Sequence, residues 1–315
     1  MMTLTRTTWQ KFCRQWMLQF FALAGIVFLL IFCYMPMVGV ILAFNNYKPK
    51  TGFLGFFTSP WVGFRWFKEL FSDPSFGRIF ANTLKLSLLK LLFSFPMPIL
   101  FSLVLNEMRI LKAKKLMQTI SYLPHFVSWV VVQGILVSLL SSQSGVLNQI
   151  LLDLGFIQEK LPFLSLAKYF LPVAVVSDIW KEMGWWSIIF LAAIAGIDMA
   201  QYEAAIVDGA SRMQRIWHII LPSIKPTIVV VLILSLGGLL GGGLGGSNFE
   251  QAYLLGNDIN NSASEILQTY TLKVGLSAGR FSYATAVGLM QSVISVFLVI
   301  ASNAAARKIS GEGLF

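Results

Sequence analysis

Six long apolar runs constrain this chain more than any other feature. They lie at about 17–44, 80–105, 117–140, 167–194, 224–245 and 281–303. A helix needs roughly 20 mostly apolar residues to cross about 30 Å of hydrocarbon. Within that layer no water satisfies backbone N–H and C=O groups, so each run must bond its backbone internally. The runs therefore predict an all-α integral membrane protein with six transmembrane helices in a single domain, 1–315. Only 12% of the residues are charged, against roughly 25% in a soluble domain, which excludes an ordinary water-soluble fold.

The net charge of +10 raises the question of nucleic acid, and its placement answers it. With the N-terminus inside, the inner segments carry Arg6, Lys11, Arg14, Arg109, Lys112, Lys114, Lys115, Arg212, Arg215, Lys225, Arg307 and Lys308. The longer outer segments carry Lys48, Lys50, Arg65, Lys68, Arg78, Lys160, Lys273 and Arg280. An excess of cations inside orients membrane helices, so the pattern predicts N-in, C-in topology rather than a nucleic-acid surface. The basic N-terminus ahead of an apolar run has the outline of a signal peptide. The run is too long for one and has no small-x-small cleavage site at its end, so it reads as an uncleaved first span. Cys13 and Cys33 suggest neither a disulfide framework nor a metal site.

Between the fourth and fifth runs sits a polar island, Glu203-Ala204-Ala205-Ile206-Val207-Asp208-Gly209-Ala210, followed by Ile219-Ile220-Leu221-Pro222. Its first half favours a helix, and Asp208-Gly209 favours a turn because glycine tolerates positive φ. The alanines give it a narrow surface suited to entering a groove. The pattern Glu-Ala-Ala, two residues, Asp-Gly-Ala, then Ile-x-Leu-Pro closely resembles the EAA loop of binding-protein-dependent ABC importer permeases. Only the aromatic often found between the halves departs, being Ile216 with Trp217 beside it. Asn82-Thr83-Leu84, Asn106 and Leu123-Pro124 resemble features of the sugar-type permeases. Asn248-Phe249-Glu250-Gln251, Phe281–Ala286 and the tail Gly311–Phe315 resemble the branch for complex oligosaccharides and polysaccharides, alginate-type and related.

The resemblance implies a type I importer permease, maltose-type in architecture, in a bacterial inner membrane. It implies a cytoplasmic coupling loop at about 198–222, with Glu203, Ala204, Ala205, Asp208, Gly209, Ala210, Leu221 and Pro222 meeting a separate ATPase. Glu203 would be the charged contact and Gly209 the bend. The implied partners are a second, different permease, two ATPases, an external sugar-binding protein and an oligosaccharide. No Gly-Lys pair exists to cradle ATP phosphates, so ATP and Mg belong to the partner ATPase and this chain binds no cofactor.

Charges within the runs are costly, on the order of 2.5–3.5 kcal/mol each at the bilayer centre, and usually face a cavity or a partner. Asp178 and Glu182 share one helix face at i, i+4, with Lys181 near and Trp180, Trp185 and Trp186 around them. They read either as an internal Asp178–Lys181 ion pair beside belt tryptophans or as the lining of a sugar pathway. Lys85 and Lys90 either snorkel to the interface or face that pathway and favour an acidic sugar. The glycines from Gly237 to Gly246 predict close packing with a break near Gly241–Gly246, leading to Asn248, Glu250 and Gln251 at the outer mouth. The aromatic outer loop 45–79 reads as an interfacial belt or as a docking surface for the binding protein. A short amphipathic helix is expected at Val146–Leu154, ended by Gly155.

His125 and His218 stand alone in sequence and point to no metal or catalytic site. Two rivals from other classes remain. An ion-coupled secondary transporter would use Asp178, Lys181 and Glu182 as a relay. A membrane enzyme acting on lipid-linked sugar would depend on Asp178 and Glu182.

Overall fold

The computed structural model describes residues 14–311, 313 and 314; Arg6, Lys11 and Cys13 lie outside them. The described chain is helical, its only β feature an isolated bridge between Asn45 and Trp61. Four helices are long and apolar enough to span by themselves: α1 (Trp16–Phe44), α3 (Phe76–Glu107), α9 (Arg212–Gly237) and α11 (Phe281–Ser310). Two bent pairs bring the spans to six. The first joins α4 (Leu111–Phe126) to α5 (Trp129–Leu140) at 105°, and the second joins α7 (Ala167–Ala195) to α8 (Met199–Val207) at 73°. Shorter helices are α2 (Arg65–Ser72), α6 (Val146–Asp153) and α10 (Asn248–Leu255). Helix α6 falls where the amphipathic pattern placed it, and Gly155 follows with φ of 73°.

Two spans differ from their sequence patterns for local reasons. The third is not one rod over 117–140. Pro124 tightens the end of α4 into a 3-10 turn, and Val127 is extended. Ser128 then caps a new helix, accepting from the Val131 N–H at 3.4 Å. The fifth starts at Arg212, well before 224, and stops at Gly237 rather than 245. Its start is set by Ser211 and Gln214, which form a reciprocal capping box. A wide π turn at Ile216–Ile220 then precedes Pro222, relieving the clash between a proline ring and the carbonyl four residues back. An equivalent π turn at Leu30–Tyr34 precedes Pro36 in α1.

The chain divides into two compact units, residues 1–71 with 274–289 and residues 72–273 with 290–315. In the first unit, α1 buries no side chain from Trp16 to Leu29. The aromatic loop after α1 folds tightly upon itself. Trp66 Nε1 donates to the Asn45 carbonyl at 2.8 Å, and the Phe44 and Trp61 rings stack with centroids 5.5 Å apart. Arg280 lies 4.5 Å from the Tyr283 ring centroid and pairs with Glu69. The loop is therefore a packed element, with Phe53, Phe57 and Trp61 left exposed.

In the second unit, Ile99 and Leu103 of α3, Phe190 and Ile194 of α7, and Ile220, Ile224 and Val231 of α9 form one apolar cluster. A second gathers Leu86, Phe170, Ala174, Ala252, Leu255 and Ile266. Helices α4 and α7 cross at Gly184, where a Cβ would run into the Ser121 backbone carbonyl. The absent side chain is what lets the two backbones meet.

Candidate functional site

Two arrangements in the second unit carry chemistry. The first is helix α8. Asp198 caps it by accepting from the Ala200 N–H at 3.0 Å. Its C-terminus closes with Gly209 at φ of 76°. The Ala210 N–H reaches the Ala205 carbonyl at 2.8 Å, and the Gly209 N–H reaches the Ile206 carbonyl at 3.1 Å. That double closure is a Schellman end, which needs a left-handed residue at the glycine position. Glu203, Ala204, Asp208 and Gly209 are exposed, Ala205 and Ala210 half-buried, and Val207 is 86% exposed. Leu221 and Pro222 are not in this turn. They lie inside α9, with Leu221 half-buried and Pro222 exposed.

The second arrangement is a charged cluster held by α3, α7, the α4–α5 bend and an unwound glycine segment. Lys90 is only 2% exposed; its ammonium sits 3.1 Å from Asp178 Oδ1 and donates to Ser247 Oγ at 2.7 Å. Ser247 in turn donates to Asp178. One turn along α7, Glu182 accepts from Lys181 at 3.1 Å and bonds His125 Nδ1 at 2.8 Å. Lys181 also donates to the His125 carbonyl at 2.7 Å. The His125 ring stacks on Trp185, centroids 4.4 Å apart and planes 1° from parallel. Two lysines and two carboxylates thus satisfy one another away from water, the condition under which buried charges persist.

The glycine segment makes this possible. Helix α9 ends at Gly237, a short 3-10 turn follows at Leu239–Gly241, and Gly242, Gly243 and Gly246 take positive φ. Gly245 lies against Glu182 and Asp178, so a Cβ there would be 3.3 Å from Glu182 Cγ. The break expected near Gly241–Gly246 is present and starts slightly earlier, at Gly238. Asn248 and Gln251 follow it but are buried, not at an open mouth. Asn248 donates to Ser87 Oγ at 2.9 Å, and Gln251 to the Ala174 carbonyl at 2.8 Å. A cavity of about 30 Å³ beside the cluster has room for one water molecule. Ser94 Oγ and Trp186 Nε1, both buried without a partner, belong to residues that line it.

Of the residues singled out from sequence, Asp178, Glu182, Trp185, Trp186 and Asn248 lie in or beside this cluster. Trp180 and Lys85 do not, and Glu250, at the edge, is near enough for its charge to act on Lys90. Trp180 borders a separate apolar cavity between α5 and α7, and Lys85 and Glu250 are exposed. The expected Asp178–Lys181 pair is replaced by Lys90–Asp178 and Lys181–Glu182, and Lys90 does not snorkel. His125 and Ser247 were missed as members. A lone histidine beside Leu123-Pro124 gave no spacing signal, and its partner lies 57 positions away. Asn82 and Thr83 act elsewhere: Asn82 donates to the Ser262 carbonyl at 2.8 Å, and Thr83 Oγ1 accepts from the Leu267 N–H at 2.9 Å.

Residues 112–311 match the family described as binding-protein-dependent transport system inner membrane component. The chain belongs to that family. The permease is 47% identical to Protein LplB of Bacillus subtilis (strain 168), covering 92% of this chain and 88% of that protein. It is 43% identical to the polygalacturonan/rhamnogalacturonan transport system permease protein YteP of the same organism, covering 97% and 92%. A chain in the crystal structure of a bacterial alginate ABC transporter, in complex with alginate pentasaccharide-bound periplasmic protein, is 40% identical. It superposes with a TM-score of 0.86 over 97% of this chain and 99% of that one. The fold is accordingly that of an ABC importer permease, all-α and multi-pass. Such a subunit is non-catalytic and binds no cofactor itself.

Proposed function

We propose that this chain works as a single permease domain in a bacterial inner membrane. It pairs with a second, different permease and two ATPases to import acidic oligosaccharides delivered by an external binding protein. The observation that carries the coupling role is helix α8, capped at both ends, turned 73° from α7 and exposed along Glu203 and Ala204. A rigid, solvent-facing helix with small side chains suits a groove on a partner, and Glu203 supplies a charged contact there. Closure of the ATPase pair would move α8, and with it α7, to which it is joined through Gly196–Asp198. Helix α7 carries Asp178, Lys181, Glu182 and Trp185, so motion at the coupling helix reaches the charged cluster through one element. This is a shift between two packings of the kind that drives alternating access.

The substrate class rests on the relatives, whose names specify polygalacturonan, rhamnogalacturonan and alginate. In this chain the partly exposed Trp185 and His125 rings offer surface against which a sugar can lie. The test is purification of the chain from its native membrane in mild detergent, with the accompanying proteins identified. An ATPase, a second permease and a binding protein that takes uronate oligosaccharides are expected. Isolation of the chain alone, under conditions that keep known importers whole, would overturn the reading.

A further inference from the structure

The face of α8 that turns back toward α7 borders a third cavity, of about 440 Å³. It is bordered by the end of α3, the last turn of α7, α8 and the first turn of α9. Three guanidinium-bearing residues line it, Arg109, Arg212 and Arg215, against one carboxylate, Glu107. Glu107 is taken up at long range by Arg212, at 3.9 Å. No carboxylate lies within ion-pair distance of Arg109 or Arg215 among the described residues. Arg215 Nε is shielded from solvent without a hydrogen-bond partner, and the Tyr202 hydroxyl has only the Asn106 side chain beside it. Arg215 Nε can only donate, and the Tyr202 hydroxyl has a donor to give. A buried donor left unpaired is costly, and with three guanidinium groups against one carboxylate the cavity suits an acceptor that brings negative charge.

We infer that this cavity binds a phosphate-bearing anion beneath the coupling helix, held by Arg109, Arg215 and the Tyr202 hydroxyl. Guanidinium pairs match the oxygens of phosphate. On the coupling reading, which this inference rests on for its side of the membrane, the cavity opens at the cytoplasmic leaflet. Anionic lipids concentrate there, and basic pockets between helices take their headgroups. A headgroup phosphodiester and free phosphate share this chemistry. Seated in the cavity, the anion would neutralise the excess of guanidinium charge and tie α3, α8 and α9 together, fixing the height of α8 against its partner.

The permease, with whatever subunits accompany it, is placed in nanodiscs of phosphatidylcholine with or without phosphatidylglycerol. Native mass spectrometry reads retained phosphatidylglycerol, and equilibrium dialysis in the phosphatidylcholine discs reads bound inorganic phosphate. Retained lipid names the headgroup as the source, and bound phosphate alone names the free ion; each supports the site. In Arg109→Gln, and more so with Arg215→Gln added, binding of that ligand falls about tenfold or more. Lys112→Gln, which removes an exposed cation outside the cavity, keeps it. Equal binding by wild type and the arginine variants, or no binding of either ligand, overturns the proposal. Arg109 is exposed, so its single variant reports even if the double variant does not fold. Binding is read without transport or ATP hydrolysis, so failure of the coupling reading leaves this result interpretable.

Discussion

Lys90 and Asp178 illustrate what a single residue can and cannot reveal. The i, i+4 spacing of Asp178 and Glu182 put both carboxylates on one face of α7, and that much was legible. Which cation meets which carboxylate was not, because Lys90 reaches Asp178 from another helix across 88 positions of chain, at 3.1 Å. Removing one member leaves the other charged and buried, which costs about 3–5 kcal/mol. Lys90→Met is expected to lower the thermal stability of the purified permease by that order. Combining it with Asp178→Asn is expected to restore most of the loss, as a double-mutant cycle would show. Additive losses would mean that the pair is not coupled. Ser247 accepts from one partner and donates to the other, so Ser247→Ala loosens the glycine segment without stranding a charge.

At the scale of elements, helix ends and crossings decide behaviour. Gly209 holds positive φ in open space, with no atom within 4 Å of where a Cβ would stand. The penalty for a substitution there is conformational, about 1–2 kcal/mol for an ordinary L-residue. Gly209→Pro forbids the turn altogether. We expect Gly209→Pro and Glu203→Lys to abolish substrate-stimulated ATP hydrolysis and uptake in proteoliposomes while the chain remains in the membrane. Normal uptake by both would remove α8 from the coupling role. Gly184 is the opposite case, pressed against the Ser121 backbone rather than strained in φ. Gly184→Val forces α4 and α7 apart and should cut the yield of folded permease in the membrane. Gly134→Ala, where α5 leaves open space, should be tolerated. The six helices were legible from run length alone. The 105° bend between α4 and α5 was not, since Pro124 followed by Ser128 reads equally as a kink in one rod.

For the whole chain, topology and substrate class are the properties to test. With Cys13 and Cys33 replaced, Lys160→Cys should react with a membrane-impermeant thiol reagent in intact cells. Lys112→Cys should react only after permeabilisation, and the reverse pattern would invert the assigned orientation. The reconstituted importer should hydrolyse ATP faster when its binding protein carries a uronate oligosaccharide than when a neutral one is supplied. Equal stimulation would remove charge from the selection. The sequence by itself determined that the backbone lies in lipid and crosses it six times, because unsatisfied amides leave helices as the economical solution. It also marked the island from Glu203 to Ala210, because helix formers, a turn glycine and local spacing are short-range signals. Only the tertiary structure decided that Lys90, Ser247 and His125 complete the cluster around Asp178 and Glu182. It also decided that Trp180 turns away from that cluster and that Arg215 and Tyr202 border a common cavity. Those facts depend on close approach between segments far apart in the chain, and no local pattern of residues records such an approach.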